Sequence, residues 1–182
     1  FILSCQPNQK QKIWKESNGI VIIEAENVMD IPVDSNWKVE STLSGRQSTG
    51  YVTWRGDDTS GPESLPYDSL STEFRLSYQI DIETPGTYHI RVLNQHQMED
   101  GDNDVWISLN RGDWGKTYDW QINEWSLDER GDWAKAKLDK GIHVVELGGR
   151  SAGFSIDRIL VFHDQIEPDS VLILAAESEI VQ

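Results

Sequence analysis

Residues 74–82 alternate apolar and polar side chains without a break, with Phe74, Leu76, Tyr78, Ile80 and Ile82 forming one series. A period of two is the signature of a strand with one face in a core and the other in water. Thr84-Pro85-Gly86 turns the chain, and residues 87–93 alternate again. Val105, Ile107 and Leu109 then share a face, leaving Trp106 and Ser108 on the other. Residues 142–147 and 154–162 are more continuously apolar, as strands near the centre of a sandwich are. Nearer the start, residues 20–26 form a further strand, with shorter candidates at 37–40 and 50–54. Helical periodicity is scarce, and no apolar run approaches membrane-spanning length. Eight or more short strands divided by Gly, Pro, Asp and Asn predict an all-β fold, an antiparallel β-sandwich of jelly-roll type. Phe74, Leu76, Tyr78, Ile80, Val105, Ile107 and Leu109 are its expected core.

A chain of 182 residues suits one such domain with short flanks. The pattern places the sandwich at 20–163, a tether at 1–19, and a strand or linker at 164–182. Cys5 is the one cysteine, so there is no disulfide framework and no paired-cysteine metal motif. Its setting, Phe1-Ile2-Leu3-Ser4-Cys5, reads as the remnant of a bacterial lipoprotein signal followed by a polar tether. That reading implies an extracellular or cell-surface protein, with Cys5 as the point of lipid attachment. The formal charge of −15 argues against nucleic acid, since nothing offsets phosphate repulsion, and against docking on anionic lipid. It is compatible with cation binding and with simple solubility.

Five of the eight tryptophans, Trp106, Trp114, Trp120, Trp125 and Trp133, fall within residues 106–133, a stretch otherwise rich in Gly, Asp, Asn, Lys and Arg. Flat rings carried among turn residues suit a surface that stacks on the apolar face of a sugar, with polar neighbours for its hydroxyls. The competing reading is that some of these rings cap a core, and about half of them are expected to do so. Three Arg-Gly-Asp tripeptides, at Arg55, Arg111 and Arg130, are explained by turn chemistry beside strands.

Ile23-Glu24-Ala25-Glu26 near the start, Pro85-Gly86-Thr87-Tyr88 in the middle, and Gly153-Phe154-Ser155-Ile156-Asp157-Arg158-Ile159 near the end occur in a telling order. With them the chain, from about Gly19 to His163, resembles the carbohydrate-binding modules of families six and thirty-five. These are galactose-binding-like jelly rolls attached to polysaccharide-degrading enzymes. Asn94-Gln95-His96, Asn103-Asp104-Val105-Trp106 and Gly149-Arg150-Ser151 look like a branch found beside marine glycan-degrading systems. The resemblance implies a structural calcium held by Glu24, Glu26 and Asp157, and hard carboxylate oxygens suit that ion. The alternative for Asp157 is pairing with a nearby arginine. The segment 100–104 looks like half of a calcium-binding loop, without the Gly and Glu that complete one.

The resemblance also implies that an oligosaccharide or polysaccharide binds on loops at one edge of the sandwich, which here carry His96, Asn103, Asp104, Trp114, Trp120, Trp125 and Arg150. Ser155 stands where many members have Asn, so Arg150 is the candidate to take over that contact. An arginine fork there favours a uronate or a sulfated sugar; the alternative for Arg150 is structural pairing with a carboxylate. No sequence motif isolates an acid and a base from the many carboxylates, and no nucleophile, phosphate-loop or zinc motif is present. Non-catalytic glycan binding is therefore the leading expectation. The alternatives are a small jelly-roll lyase or hydrolase, and a structural sandwich within a surface assembly.

Overall fold

The computed structural model describes residues 12–59, 61–97, 103–128, 135–168 and 173–181. Cys5 and Trp133 lie outside these residues, as do positions 100–102 of the acidic loop and the whole of the third Arg-Gly-Asp tripeptide.

Two seven-stranded sheets pack face to face. The first contains β1 (Ile13–Lys15), β5 (Ser64–Leu65), β6 (Arg75–Ile82), β8 (Asp104–Leu109), β9 (Trp114–Tyr118), β12 (Gly141–Gly148) and β14 (Ile180–Val181), in the order β14-β1-β6-β12-β8-β9-β5. The second contains β2 (Ile20–Glu24), β3 (Trp37–Glu40), β4 (Tyr51–Trp54), β7 (Gly86–Gln95), β10 (Ser126–Leu127), β11 (Lys135–Leu138) and β13 (Ser155–His163). Strand β13 lies at its centre, with β7 on one side and both β2 and β4 on the other. Among the described residues every strand pairing is antiparallel except that β1 runs parallel to β6.

The alternation in β6 has its expected physical basis. Leu76, Tyr78, Ile80 and Ile82 are buried and face Val105, Ile107, Leu109, Val145 and Leu147 across the same sheet. The second sheet contributes Ile90, Val92, Ile159 and Val161. Phe74 departs from the expectation. It sits in a 3-10 turn, Thr72–Phe74, half-buried at the margin of the core, because the strand begins one residue later. Residues 20–26 likewise split into strand β2 and a 3-10 turn, Ala25–Asn27. Thr84-Pro85-Gly86 carries the chain from one sheet to the other and closes no hairpin.

The sheets reach past the 20–163 span at both ends. Trp14, within the segment read as a tether, is fully buried against Tyr78, with ring centroids 5.7 Å apart. A three-residue strand is too short for periodicity to reveal. At the other end, Ile180 and Val181 pair with Trp14 and Ile13. The Glu177 carboxylate accepts from the Trp14 indole at 2.7 Å and from the Glu24 amide at 3.1 Å, binding the C-terminal segment to the sandwich.

A second, smaller apolar cluster covers the outer face of the first sheet. Trp106 and Trp114 point away from Val105 and Ile107 and are buried with Leu70, beneath the segment carrying Leu65, Tyr67 and Phe74.

Candidate functional site: a cleft beside an aromatic loop

Strands β4, β7 and β13 end near one another, and a cleft of about 250 Å³ lies between their ends. Its walls include Tyr51, Arg55, Gln95, His96, Gly153 and Ser155, together with Thr42 from the loop after β3. The Tyr51 hydroxyl bonds Thr42 Oγ1 at 2.9 Å and accepts from the Leu43 amide at 3.2 Å, so β4 anchors that loop. Thr53 and Ser155 share a buried hydroxyl bond of 2.9 Å.

The loop 119–125 stands beside this cleft and is held at several points. Asn123 N donates to His96 O at 2.8 Å. Trp125 Nε1 donates to Ser44 O at 2.9 Å, and its ring meets Tyr51 edge-on. The Asp119 carboxylate accepts from the Gln121 amide at 2.9 Å and from Asn94 Nδ2 at 3.2 Å. Asn103 Nδ2 donates to Asp119 O at 3.1 Å, which makes Asn103 a tether of the loop. Trp120 is 51% exposed, with one edge resting against Tyr118. The structure thus brings His96 and Trp125 to the cleft and leaves Trp120 open on the same loop. His96 is itself buried, stacked on Phe154 at 6.0 Å.

Three expected contacts are corrected. Trp114 is fully buried, stacked on Tyr67 at 5.8 Å with its indole N–H on the Tyr67 carbonyl, because strand alternation turns it into the second apolar cluster. Arg150 and Asp104 are both buried and pair with each other, Nε to Oδ2, at 2.8 Å. The guanidinium also lies 4.3 Å above the Trp106 ring, and Ser151 Oγ donates to Asp104. Arg150 therefore takes the structural pairing and is held inside the protein.

Sequence reasoning missed Tyr51, Arg55 and Thr42 as cleft residues. Their positions follow from tertiary contacts, Tyr51 with Trp125, Thr42 with Tyr51 and Arg55 with Glu40, which leave no local signal. Gln95 stood within a quoted motif, next to His96.

Elsewhere, the oxygens of Glu24, Glu26 and Asp157 all come within 4.8 Å of one another. A bulge in β13 between Ile156 and Arg158 turns Asp157 toward this cluster. Gln47 N and Ser48 Oγ each donate to Asp157 at 2.6 Å, and Gly50 N donates to Glu26 at 2.8 Å. Arg158 pairs with Glu24 at 2.5 Å, so the arginine partner foreseen for Asp157 goes to its neighbour. Burial pushes the carboxyls of Glu24 and Asp157 above the ordinary range, and each is raised further by the neighbouring acids. Three carboxylates and one guanidinium leave two negative charges at the cluster. A hard divalent cation fits that donor set.

A further buried acid, Asp128, braces the base of the aromatic loop. It accepts from Val92 N at 2.8 Å and from Thr117 Oγ1, with the Arg91 Nε at 3.5 Å. Burial raises its pKa to about 6, against the opposing pull of those bonds.

No protein-family model and no curated protein matches the sequence. Solved structures do match. A mannanase from Podospora anserina, of GH26-CBM35 type, is 18% identical and superposes with a TM-score of 0.58; the match covers 84% of this chain and 29% of the mannanase. A family 35 carbohydrate-binding module from Clostridium thermocellum is 17% identical with a TM-score of 0.54, covering 79% of this chain and 98% of the module. The C-terminal CBM6 of LamC, a marine laminarinase from Zobellia galactanivorans, is 16% identical with a TM-score of 0.52, covering 79% and 98%. The two-sheet sandwich and these superpositions agree: the chain has the fold of the carbohydrate-binding modules of families 35 and 6.

Proposed function

We propose that this domain binds a polysaccharide or oligosaccharide without transforming it, as an accessory module of a glycan-degrading protein. The observation that carries this reading is the pairing of a preformed polar cleft with an aromatic loop. Trp125 is braced against Tyr51 of the cleft wall, and Trp120 is exposed on the same loop. Sugar rings present apolar C–H faces to such rings and hydroxyls to such clefts.

Glu24, Glu26 and Asp157 are the residues we assign to a structural calcium. Bound there, the ion would neutralise the two excess charges and lock the 3-10 turn after β2 against β13.

The test is tryptophan fluorescence titration against a polysaccharide panel, with reducing-end and unsaturated-product assays on each polymer bound. Saturable quenching without product is the expected result. Product formation would establish the enzyme alternative, and native protein that binds no polymer would overturn the reading.

A further inference from the structure

Resting on the glycan reading of the cleft, we infer that the site is built for a neutral sugar and turns away uronates and sulfate esters. The first ground is that neither Arg55 nor Arg150 offers the cleft a free fork. Among the described residues Arg55 is the cleft's one arginine, and its Nε and one terminal nitrogen grip the two oxygens of Glu40 at 2.8 and 2.6 Å. This is the two-point geometry a guanidinium would otherwise offer a sugar carboxylate or sulfate. Arg150 is buried, with its Nε 2.8 Å from Asp104 Oδ2 and its guanidinium 4.3 Å above the Trp106 ring, and it is not part of the cleft wall. No lysine lines the cleft among the described residues.

The second ground is Gln95. It is only 9% exposed, lines the cleft, and its Oε1 is buried with no hydrogen-bond partner among the described residues. A buried acceptor left unpaired carries a desolvation cost that a ligand donor relieves. A sugar hydroxyl supplies that donor. A carboxylate or sulfate oxygen brings only lone pairs and meets Oε1 with repulsion. The Tyr51–Thr42 and Thr53–Ser155 hydroxyl pairs beside the cleft are uncharged. Outside the cleft, the formal charge of −15 opposes the approach of any polyanion at moderate ionic strength.

The experiment is calorimetric titration with matched polymers. Neutral laminarin, galactomannan and agarose oligosaccharides are compared with polygalacturonate, alginate and carrageenan oligosaccharides, and polygalacturonate is compared with its carboxyl-reduced product. Binding confined to the neutral group, and insensitive to added salt, is expected. Binding confined to the anionic group would overturn this inference while leaving the glycan reading intact. Silence from every polymer, in protein with a native melting curve, would overturn both. Two variants sharpen the result. Gln95→Leu should lower affinity for the bound neutral sugar by about tenfold, the loss of one buried hydrogen bond. Glu40→Gln, which frees the Arg55 fork, should create measurable binding to polygalacturonate, and its failure to do so would count against the charge argument.

Discussion

The ring of Trp125 meets that of Tyr51 edge-on, with centroids 5.5 Å apart and planes inclined by 61°. Tyr51 is fully buried in β4, so the platform at the cleft is fixed from inside the sandwich. A ring that is already ordered loses little freedom when a ligand arrives. Trp125→Ala should therefore weaken glycan binding by about 2 kcal/mol or more. Trp120→Ala should also weaken binding, and with half its surface in water it should leave the melting temperature nearly unchanged. Trp114→Ala is the control: removal of a buried ring should cost about 3–5 kcal/mol of stability. Calorimetric titration and thermal melts of the three variants separate the two roles. Equal loss of stability in all three would assign every one of these rings to the core.

Calcium supplies the second test. An ion that binds only the folded state stabilises it by about 2.7 kcal/mol at a hundredfold excess over its Kd. For a domain of this size that is roughly 5–10 °C in melting temperature. Chelator should reverse the shift, and Asp157→Asn should remove it. Because Glu24 and Asp157 hold protons more tightly than ordinary carboxyls, the shift should shrink as pH falls through the carboxylate range. Elemental analysis finding no metal, with melting curves indifferent to calcium, would eliminate the site.

Asp128 predicts a pH dependence of its own. Its folded pKa of about 6 lies above the value near 4 of an unfolded aspartate. Protonated Asp128 therefore favours the fold, fully so below about pH 4, and this contribution is lost as pH rises through about 6. The difference amounts to roughly 2–3 kcal/mol. Asp128→Asn keeps the shape without the titration. Its stability relative to the parent should rise between pH 4 and 6 and then level off, as read by urea denaturation at each pH. A difference that stays flat across that window would exclude the effect.

The Asp104–Arg150 pair makes a fourth prediction. Asp104→Asn or Arg150→Met alone leaves one buried charge without its partner, at a cost of about 3–5 kcal/mol. Replacing both should recover much of that loss, because the pair's desolvation cost disappears with it. A double-mutant cycle in urea measures the coupling.

These variants also mark where sequence stops specifying structure. Alternation located β6, β8 and the core face of each, because burial of one face imposes the period directly. The acidic residues of the first and last motifs were legible too, since Glu24, Glu26 and Asp157 do converge. The roles of Trp114 and Arg150 were not legible. Trp114 lies in the turn-rich, charged stretch 106–133 and Arg150 in a glycine-rich turn, both of which read as surface, and both are buried by segments distant in sequence, Trp114 by Tyr67 and Arg150 by Asp104. Strand β1 was hidden for a related reason: three residues carry no period, and Trp14 is core only because β6 and Glu177 come to meet it.

The pairing of Ile13 with Val181 has a mechanical consequence. The polypeptide enters and leaves the sandwich side by side, joined across two adjacent rungs. Tension applied through the flanks would open those rungs one after another, as a zipper, before it loaded the long ladders of β6 with β12 and of β7 with β13. The cleft and its aromatic loop are built on β4, β7 and β13, outside that first line of strain. A pulled domain would thus release β14, then β1, while its grip at the cleft persisted.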